Sequence, residues 1–313
     1  MNAPFCLVVN PAAGGGRALR AVPAVTAHLG AAGARYEVTE SASLAHAHDV
    51  AARAAQQGHV VVAVGGDGLA GALAGVAARQ DAGYGIIPAG NGNDFARVLG
   101  VPFEAAPAAG VLTSGRERRV DLIAVTASDR AEQIVAGSVY IGLPSVAGEI
   151  ANRTRWLRGP AVYPVAALRA LAAWSPVTFG VRIAGGGGRA LDFAGYAVVV
   201  ANAAYFGAGM KVAPPARVDD GTLDVVTMRH ASRIAFLRVL LRIRSGSHVR
   251  LPPVAVDRAA EVTVTAGRDL PAAADGEILS CAAPLRAGTA LQIRVLPGAL
   301  RALVPAASEQ VFP

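Results

Sequence analysis

Three apolar runs in the first third of the chain each end in a turn of Gly, Asn, Asp or Pro, and each turn opens a stretch of helical periodicity. The runs are Phe5–Val9, Val60–Val64 and Tyr84–Ile87; the turns are Asn10–Gly16, Gly65–Gly68 and Gly90–Asn93. Strands this uniformly apolar are buried on both faces, and with helices between them they form βαβ units and a mostly parallel sheet. The pattern predicts helices over Arg17–Ala32 (with Pro23 tolerated near its start), Leu44–Gln57, Leu69–Arg79 and Asn93–Leu99, and a further strand over Arg35–Thr39. Ligands on such sheets bind at the carboxyl ends of the strands, the edge that all three turns occupy.

The rhythm changes after about residue 120. Asp121–Thr126, Gln133–Ile141, Val177–Ile183, Asp192–Asn202, Thr222–Met228, Glu261–Thr265 and Ala290–Leu296 read as strands between Gly- and Pro-rich turns, the pattern of an antiparallel β sandwich. Tyr163–Trp174 and Ile234–Arg244 read as helices within it. The expected organisation is an α/β domain over residues 1–125 and a β-sandwich domain over 126–296. The tail 297–313 is expected to return to the first domain, with Gly298–Ala307 as a short helix.

With 313 residues, 53% hydrophobic and 16% charged, the chain can bury substantial cores and carries no composition of disorder. Its longest apolar stretches, such as Ala194–Ala204, are shorter than the ~20 residues of a membrane span. Met1–Asn10 lacks a charged leader and runs into a strand, so no signal peptide is read and the expected location is cytoplasmic. Cys6 and Cys281 have neither disulfide nor zinc spacing. The net charge of +7 rests on arginine, since Lys211 is the only lysine. Such a surface favours an anionic membrane face or a phosphate ligand; without a basic aromatic patch or zinc-finger spacing, nucleic acid is not expected.

The turns carry the chemistry. Gly65, Gly66 and Gly68 let a phosphate approach the backbone, whereas Asp67 between them needs a metal ion, a water or a donor between itself and a phosphate. A plain strand-to-helix turn accounts for the same residues. Gly90-Asn91-Gly92-Asn93-Asp94 reads either as a nucleotide contact or as a turn in which Asn93 or Asp94 caps the next helix. Asn10-Pro11-Ala12-Ala13-Gly14-Gly15-Gly16 lacks the Lys-Ser/Thr of a P-loop and reads as a backbone cradle or a simple glycine loop. Asp275-Gly276-Glu277, alone, reads as a β-turn.

Together the segments NPAAGGG (10–16), VGGDG (64–68), IPAGNGNDFAR (87–97), MKVAPPARVDDGTLDVV (210–226), GSHVRLPPV (246–254) and ADGE (274–277) resemble the diacylglycerol kinase catalytic-domain family, in particular its soluble bacterial lipid kinases. The resemblance extends over nearly the whole chain. It implies an α/β nucleotide-binding domain, a β sandwich, an active site in the interdomain cleft, and transfer of the γ-phosphoryl of MgATP to a lipid hydroxyl, typically of diacylglycerol. It makes Asp275 the general base, places Glu277 near metal or nucleotide, and assigns Asp67, Asp94 and Asp121 to a Mg²⁺–water network. It makes Asn10, Pro11, Gly14 and the glycines and asparagines of the other two turns nucleotide contacts. Asp220 and the carbonyl of Thr222 match a loop that holds a structural Mg²⁺ in some members; an Asp-Gly hairpin turn is the competing reading. The chain departs from the family at Leu69, where a Thr is usual, at Gly71-Ala72, where an Asn-Glu pair is common, and at Asn91, where Thr often stands.

Two basic segments are candidates for peripheral membrane contact, the first of them reading equally as a helix packed on the sandwich with a solvated arginine face. Ser232–Arg244 combines Ile234, Leu237, Leu240 and Leu241 with Arg238 and Arg242, and Arg153–Arg158 sets Trp156 among arginines. His248, in the matched GSHVRLPPV stretch, reads as structural. A homodimer is open. The alternatives are a kinase of NAD or a sphingoid base, since Gly-Gly-Asp-Gly occurs in that wider superfamily, and a divergent non-catalytic lipid- or nucleotide-binding protein, suggested by Leu69.

Overall fold

The computed structural model describes residues 3–127, 130–153, 162–184, 188–282 and 284–306. The chain divides into two compact units. The first comprises the chain up to Leu122, Val218–Asp220 and the chain from Leu296 on; the second comprises Ile123–Arg217 and Gly221–Val295.

Elements of the first stretch are β1 (Phe5–Val9), α1 (Arg17–Ala31), β2 (Tyr36–Glu40), α2 (Leu44–Gln56), β3 (Val60–Gly65), α3 (Asp67–Arg79), β4 (Gly83–Pro88), α4 (Asp94–Val98), α5 (Ala105–Ser114) and β5 (Arg116–Ala127). β1 and β3 are apolar and buried throughout, as strands covered on both faces must be. β1 pairs β2 and β3 in parallel, and β3 pairs β4 in parallel, giving the order β4-β3-β1-β2. The chain therefore steps from β1 outward to β2, then returns past β1 to β3. Right-handed crossovers put α1 on one face and α2 and α3 on the other. The side chains of β4 report both layers. The Tyr84 hydroxyl donates to the Ala70 carbonyl of α3 at 2.6 Å, while the α-carbon of Gly85 lies against Leu112 of α5. α1 and α5 are also joined, through His28 Nε2 and Thr113 Oγ1 at 3.0 Å. The apolar helix Ala105–Ser114 is absent from the sequence reading; its near-uniform hydrophobicity conceals the 3.6-residue period.

The second stretch contains β6 (Gln133–Val135), β7 (Ser138–Gly142), α6 (Leu143–Arg153), α7 (Val162–Ala173), β8 (Val177–Ala184), β9 (Arg189–Ala201), β10 (Tyr205–Phe206), β11 (Met210–Lys211), β12 (Leu223–Arg229), α8 (Arg233–Arg242), β13 (Val254–Ala259), β14 (Glu261–Ala266), β15 (Ala272–Ala274), β16 (Glu277–Ile278) and β17 (Leu291–Val304). The pairings within the second unit are antiparallel. β9 is its spine: residues 195–201 pair β12, residues 197–201 also pair β7, and residues 189–195 pair β8. α8 covers this sheet through Phe236 and Val239, both buried, and Phe236 stacks on Tyr196 with ring centroids 3.7 Å apart.

Three expectations need correction. Gly298–Ala307 is not a short helix: β17 runs through to Val304 and its end pairs β4 in parallel, Arg301 with Gly83 and Ala302 with Tyr84. Leu300, Ala302, Leu303 and Val304 are buried there, and a helix would expose part of that set. Gln133–Ile141 is not one strand. It breaks at Ala136-Gly137, where the Gly137 carbonyl accepts the Asn202 and Ala203 N–H groups instead of continuing the ladder. Asp219–Gly221 does not close a hairpin: β12 pairs β9 and β13, and the turn instead carries the chain from the first unit to the second. The side chains of Arg153–Arg158, one of the two membrane candidates, lie outside the described residues.

Among the described residues no helix is long and apolar enough to cross a membrane. Cys6 and Cys281 are buried free thiols; burial, reinforced by Glu37, pushes the Cys6 thiol up to about 11, so it is a packing residue rather than a nucleophile. Truncating Phe236 to Ala should cost about 3 kcal/mol, because a fully buried ring is removed from between helix and sheet. Urea denaturation of the variant beside the parent chain measures it.

Candidate active site

The glycine turns meet at the carboxyl ends of β1, β3 and β4. β1 sends its chain to one side and β3 to the other, so the gap between them is a switch point, where open α/β sheets bind ligands. Asn10 enters that gap with its N–H on the Val64 carbonyl at 3.1 Å and its side chain accepting the Ala12 N–H at 3.1 Å. Gly14, Gly15 and Gly16 follow with φ of 57°, 67° and 85°. Three consecutive left-handed residues turn the chain sharply and are open at low cost only to glycine.

These turns are packed against one another. A Cβ on Gly66 would stand 3.1 Å from the Gly90 α-carbon, and one on Gly90 would collide with the Gly66 α-carbon. A Cβ on Gly14 would run into the Ala89 carbonyl. Arg17, the first residue of α1, ties the first turn to the third by donating to the Gly90 carbonyl at 2.7 Å and to Asn91 Oδ1 at 2.6 Å. The Asn93 side chain closes the third turn on itself, accepting the Gly90 N–H at 2.8 Å and donating to the Gly90 carbonyl at 3.2 Å.

Asp67 opens α3 yet serves α4. Its Oδ1 accepts the Phe95 N–H at 3.2 Å. Asn93, at the N-cap position with φ 56°, makes no side-chain bond to that helix. The cap is thus supplied by Asp67, from the preceding motif. Burial raises the Asp67 carboxyl above its ordinary value. The backbone N–H groups of Phe95, Asp94, Asn93 and Asp67 itself oppose the shift, and no cationic side chain is among its causes. A buried carboxylate in that condition beside the glycine turns suits a cation brought in with a ligand. Asp94 is buried beside it in the first turn of α4. Leu69 is buried in α3, its Cδ2 3.0 Å from where a Gly65 Cβ would stand, so the usual Thr is replaced by a core side chain.

Asp121 has structural partners. Asp121 is 2% exposed; its Oδ1 accepts the Gly298 N–H at 2.7 Å, and its own N–H donates to the Val218 carbonyl at 2.6 Å. Asp219, beside Asp220, pairs with Arg118, and the Thr222 hydroxyl accepts from Arg258 at 2.8 Å. Among the described residues no three His, Cys, Asp or Glu side chains converge as a metal cage. His248 is buried with Nε2 on the Val212 carbonyl at 3.1 Å, and burial lowers its pKa.

In the second unit, Asp275 and Gly276 are the central pair of the β15–β16 hairpin, with Ala274 opposite Glu277. Both have positive φ, 48° and 88°, which explains the Asp-Gly sequence as a type I′ turn. The turn does not explain the side chain. Its Oδ1 accepts the Gly137 and Ser138 N–H groups at 2.9 and 3.1 Å, and Oδ2 accepts that of Ala136 at 2.8 Å. A Cβ on Gly137 would stand 2.7 Å from Oδ1. The Tyr140 hydroxyl accepts the Gly276 N–H at 3.1 Å, fixing the turn from behind. Glu277 follows, exposed, with its carboxyl raised by the desolvation of the surrounding protein.

Arg17 and the 136–138 amides are missing from the residues picked out by sequence. Arg17 carried a signal: a cation in the first turn of a helix without a compensating acid opposes the macrodipole, and a phosphate ligand would remove that conflict. The amides carried none, because any residue has an N–H.

An α/β unit with glycine turns and a buried carboxylate at its switch point, followed by an antiparallel β unit, is the build of a nucleotide-phosphate-binding enzyme. Residues 4–125 match the model of the diacylglycerol kinase catalytic domain, and residues 137–304 match that of the YegS C-terminal NAD kinase beta sandwich-like domain. A diacylglycerol kinase of Mycobacterium tuberculosis is 32% identical over 303 residues, covering 95% of this chain and 94% of that protein. One from Staphylococcus saprophyticus is 26% identical over 277 residues, covering 87% and 88%. The crystal structure of a diacylglycerol kinase from Bacillus anthracis superposes with a TM-score of 0.71 over 96% of both chains at 20% identity, and shares the fold. The chain belongs to the diacylglycerol kinase family.

Two outcomes are expected. Gly90→Ala should destabilise by roughly 1–3 kcal/mol, because backbone cannot give way as a side chain can; thermal melting checks it. Asp67→Asn keeps an acceptor for the Phe95 N–H and removes a buried charge. Because the folded pKa is raised, ionisation of Asp67 opposes folding above that pKa, and the penalty fades as pH falls through it toward the ordinary 3.8. The variant should therefore melt no lower than the parent at neutral pH, with the difference closing as pH drops. Calorimetric titration with MgATP should show weaker binding.

Proposed function

We propose that this chain is an ATP-dependent lipid kinase that transfers the γ-phosphoryl group to the hydroxyl of diacylglycerol or a similar lipid alcohol. The observation that carries the reading is the interlocked set of glycine turns at the switch point, with Arg17 bridging two of them. Gly14, Gly65, Gly66, Gly68, Gly90 and Gly92 form the phosphate cradle, with Asn10, Pro11, Asn91 and Asn93 shaping it. The guanidinium of Arg17 supplies positive charge. Mg²⁺ arriving with ATP would be held by phosphate oxygens together with Asp67 and Asp94, and would neutralise charge on the transferring group.

Asp275 is proposed as the base. The lipid hydroxyl gives its proton to the carboxylate, its oxygen forms a bond to the γ-phosphorus, and the bond to the β-phosphate oxygen breaks to release ADP. Phosphoryl transfer depends mainly on positioning and charge neutralisation, so a carboxylate fixed by three amides suits the role better than one on a mobile side chain. A bilayer-resident acceptor also implies peripheral contact with a membrane.

The test is ATP-dependent phosphorylation across a panel of diacylglycerol, sphingoid bases and NAD, followed by chromatography of the products. Phosphatidate from diacylglycerol is expected; turnover on NAD alone, or on no acceptor, would remove the proposal. Asp275→Asn should cut turnover by about 10²-fold or more while MgATP still binds. It should also lower the melting temperature, since an amide NH₂ would face a backbone N–H among residues 136–138. Parent-like turnover in that variant would show that Asp275 is not the base.

A further inference from the structure

The apolar residues of α8 do not form one buried face. Phe236 and Val239 point inward, with Ile243 buried just after the helix. Ile234 and Leu241, one heptad apart, lie on the opposite side at 72% and 73% exposure. No other large apolar side chain among the described residues is as exposed; Leu44 and Leu168, at 51%, come next. Arg233, Arg238 and Arg242 are exposed on the helix, and Arg244 follows it. From His230 to Pro253 the sequence holds five arginines and no Asp or Glu. None of the ion pairs found among the described residues involves the four exposed arginines named.

We propose that this face of α8 is the surface through which the chain docks on an anionic lipid bilayer. Two independent features select that occupant. The outward strip is branched aliphatic, fit for the boundary between headgroups and acyl chains, and the arginines beside it match lipid phosphates. Exposing two such side chains to water is unfavourable, and the acyl boundary removes that cost. A single-stranded nucleic acid would call for aromatic stacking platforms, and the outward strip has none. The helix is firmly held: Ser232 caps it by accepting the Ala235 N–H at 3.2 Å, and the Phe236–Tyr196 stack fastens it to the sheet. The face is thus preorganised. The need for a bilayer surface rests on the lipid-acceptor reading above. The binding assay contains neither ATP nor acceptor, so its outcome and that of the kinase assay are separate.

Flotation of the full chain with vesicles of phosphatidylglycerol and phosphatidylcholine, against phosphatidylcholine alone, tests the proposal. Binding is expected only with the anionic lipid, weakening as salt is raised. The pair Arg238→Gln with Arg242→Gln should lower vesicle affinity roughly tenfold or more, given about 1 kcal/mol per arginine near an anionic surface. The pair Ile234→Asp with Leu241→Asp should lower it at least as far. Leu44→Asp, on the exposed side of α2, should bind like the parent. Both α8 pairs change only exposed side chains, and circular dichroism confirms that they fold. Failure of the parent to float, equal binding to phosphatidylcholine alone, or parent-like binding by both pairs would each overturn it. So would a change of oligomeric state in the pairs by light scattering without loss of vesicle binding, which would make a second copy the occupant.

Discussion

The first unit depends on backbone meeting backbone at the edge of its sheet. Gly66 and Gly90 approach until neither tolerates a β-carbon, and Gly14 seats against the Ala89 carbonyl. Three chain segments distant in sequence are thereby brought within contact of one another. Such contact requires glycine at these positions, and glycine turns are also what lets a phosphate come close to a backbone. The close approach that builds the scaffold and the access that a phosphate would need are one constraint. Arg17 belongs to it too: its guanidinium spans the gap between turns and places a cation where the helix dipole alone would not favour one.

Asp67 and Asp275 are both held by main-chain amides. Asp67 accepts from the start of α4, and Asp275 accepts from Ala136, Gly137 and Ser138. Backbone amides orient such a group while it keeps its negative charge, which a cation can then meet. The arrangement also explains the short interruption between β6 and β7, where the amides that would have entered a ladder are turned to Asp275 instead.

Much of this was legible in the chain because it rests on local rules. The alternation of apolar runs with glycine turns located β1, β3, β4 and their helices within a residue or two, and put the turns on one edge. The type I′ hairpin at Asp275-Gly276 likewise follows from the dipeptide. What escaped was non-local. That Asp67 caps α4 depends on two segments meeting in space, and so do the Asp121–Gly298 bond and the amides that hold Asp275. α8 shows a different limit. Its composition indicated an amphipathic helix, but only packing shows that Phe236 and Val239 face the sheet while Ile234 and Leu241 face away. The tail misled for a related reason: Leu300–Val304 suits either secondary structure, and its pairing with β4 decides between them.

That last strand has a consequence for the order in which the molecule comes into being. β17 begins antiparallel to β14 in the second unit and ends parallel to β4 in the first. The first unit is therefore assembled from three stretches of chain, the last of them beyond Leu296. During synthesis the ribosome delivers β1 to β4 early, but their sheet lacks its outer parallel neighbour until nearly the whole polypeptide has emerged. The second unit's residues are all available before the first can be completed. The edge that carries the glycine turns thus matures at the end of translation, and a nascent or C-terminally clipped chain lacks the strand that finishes the sheet beneath it.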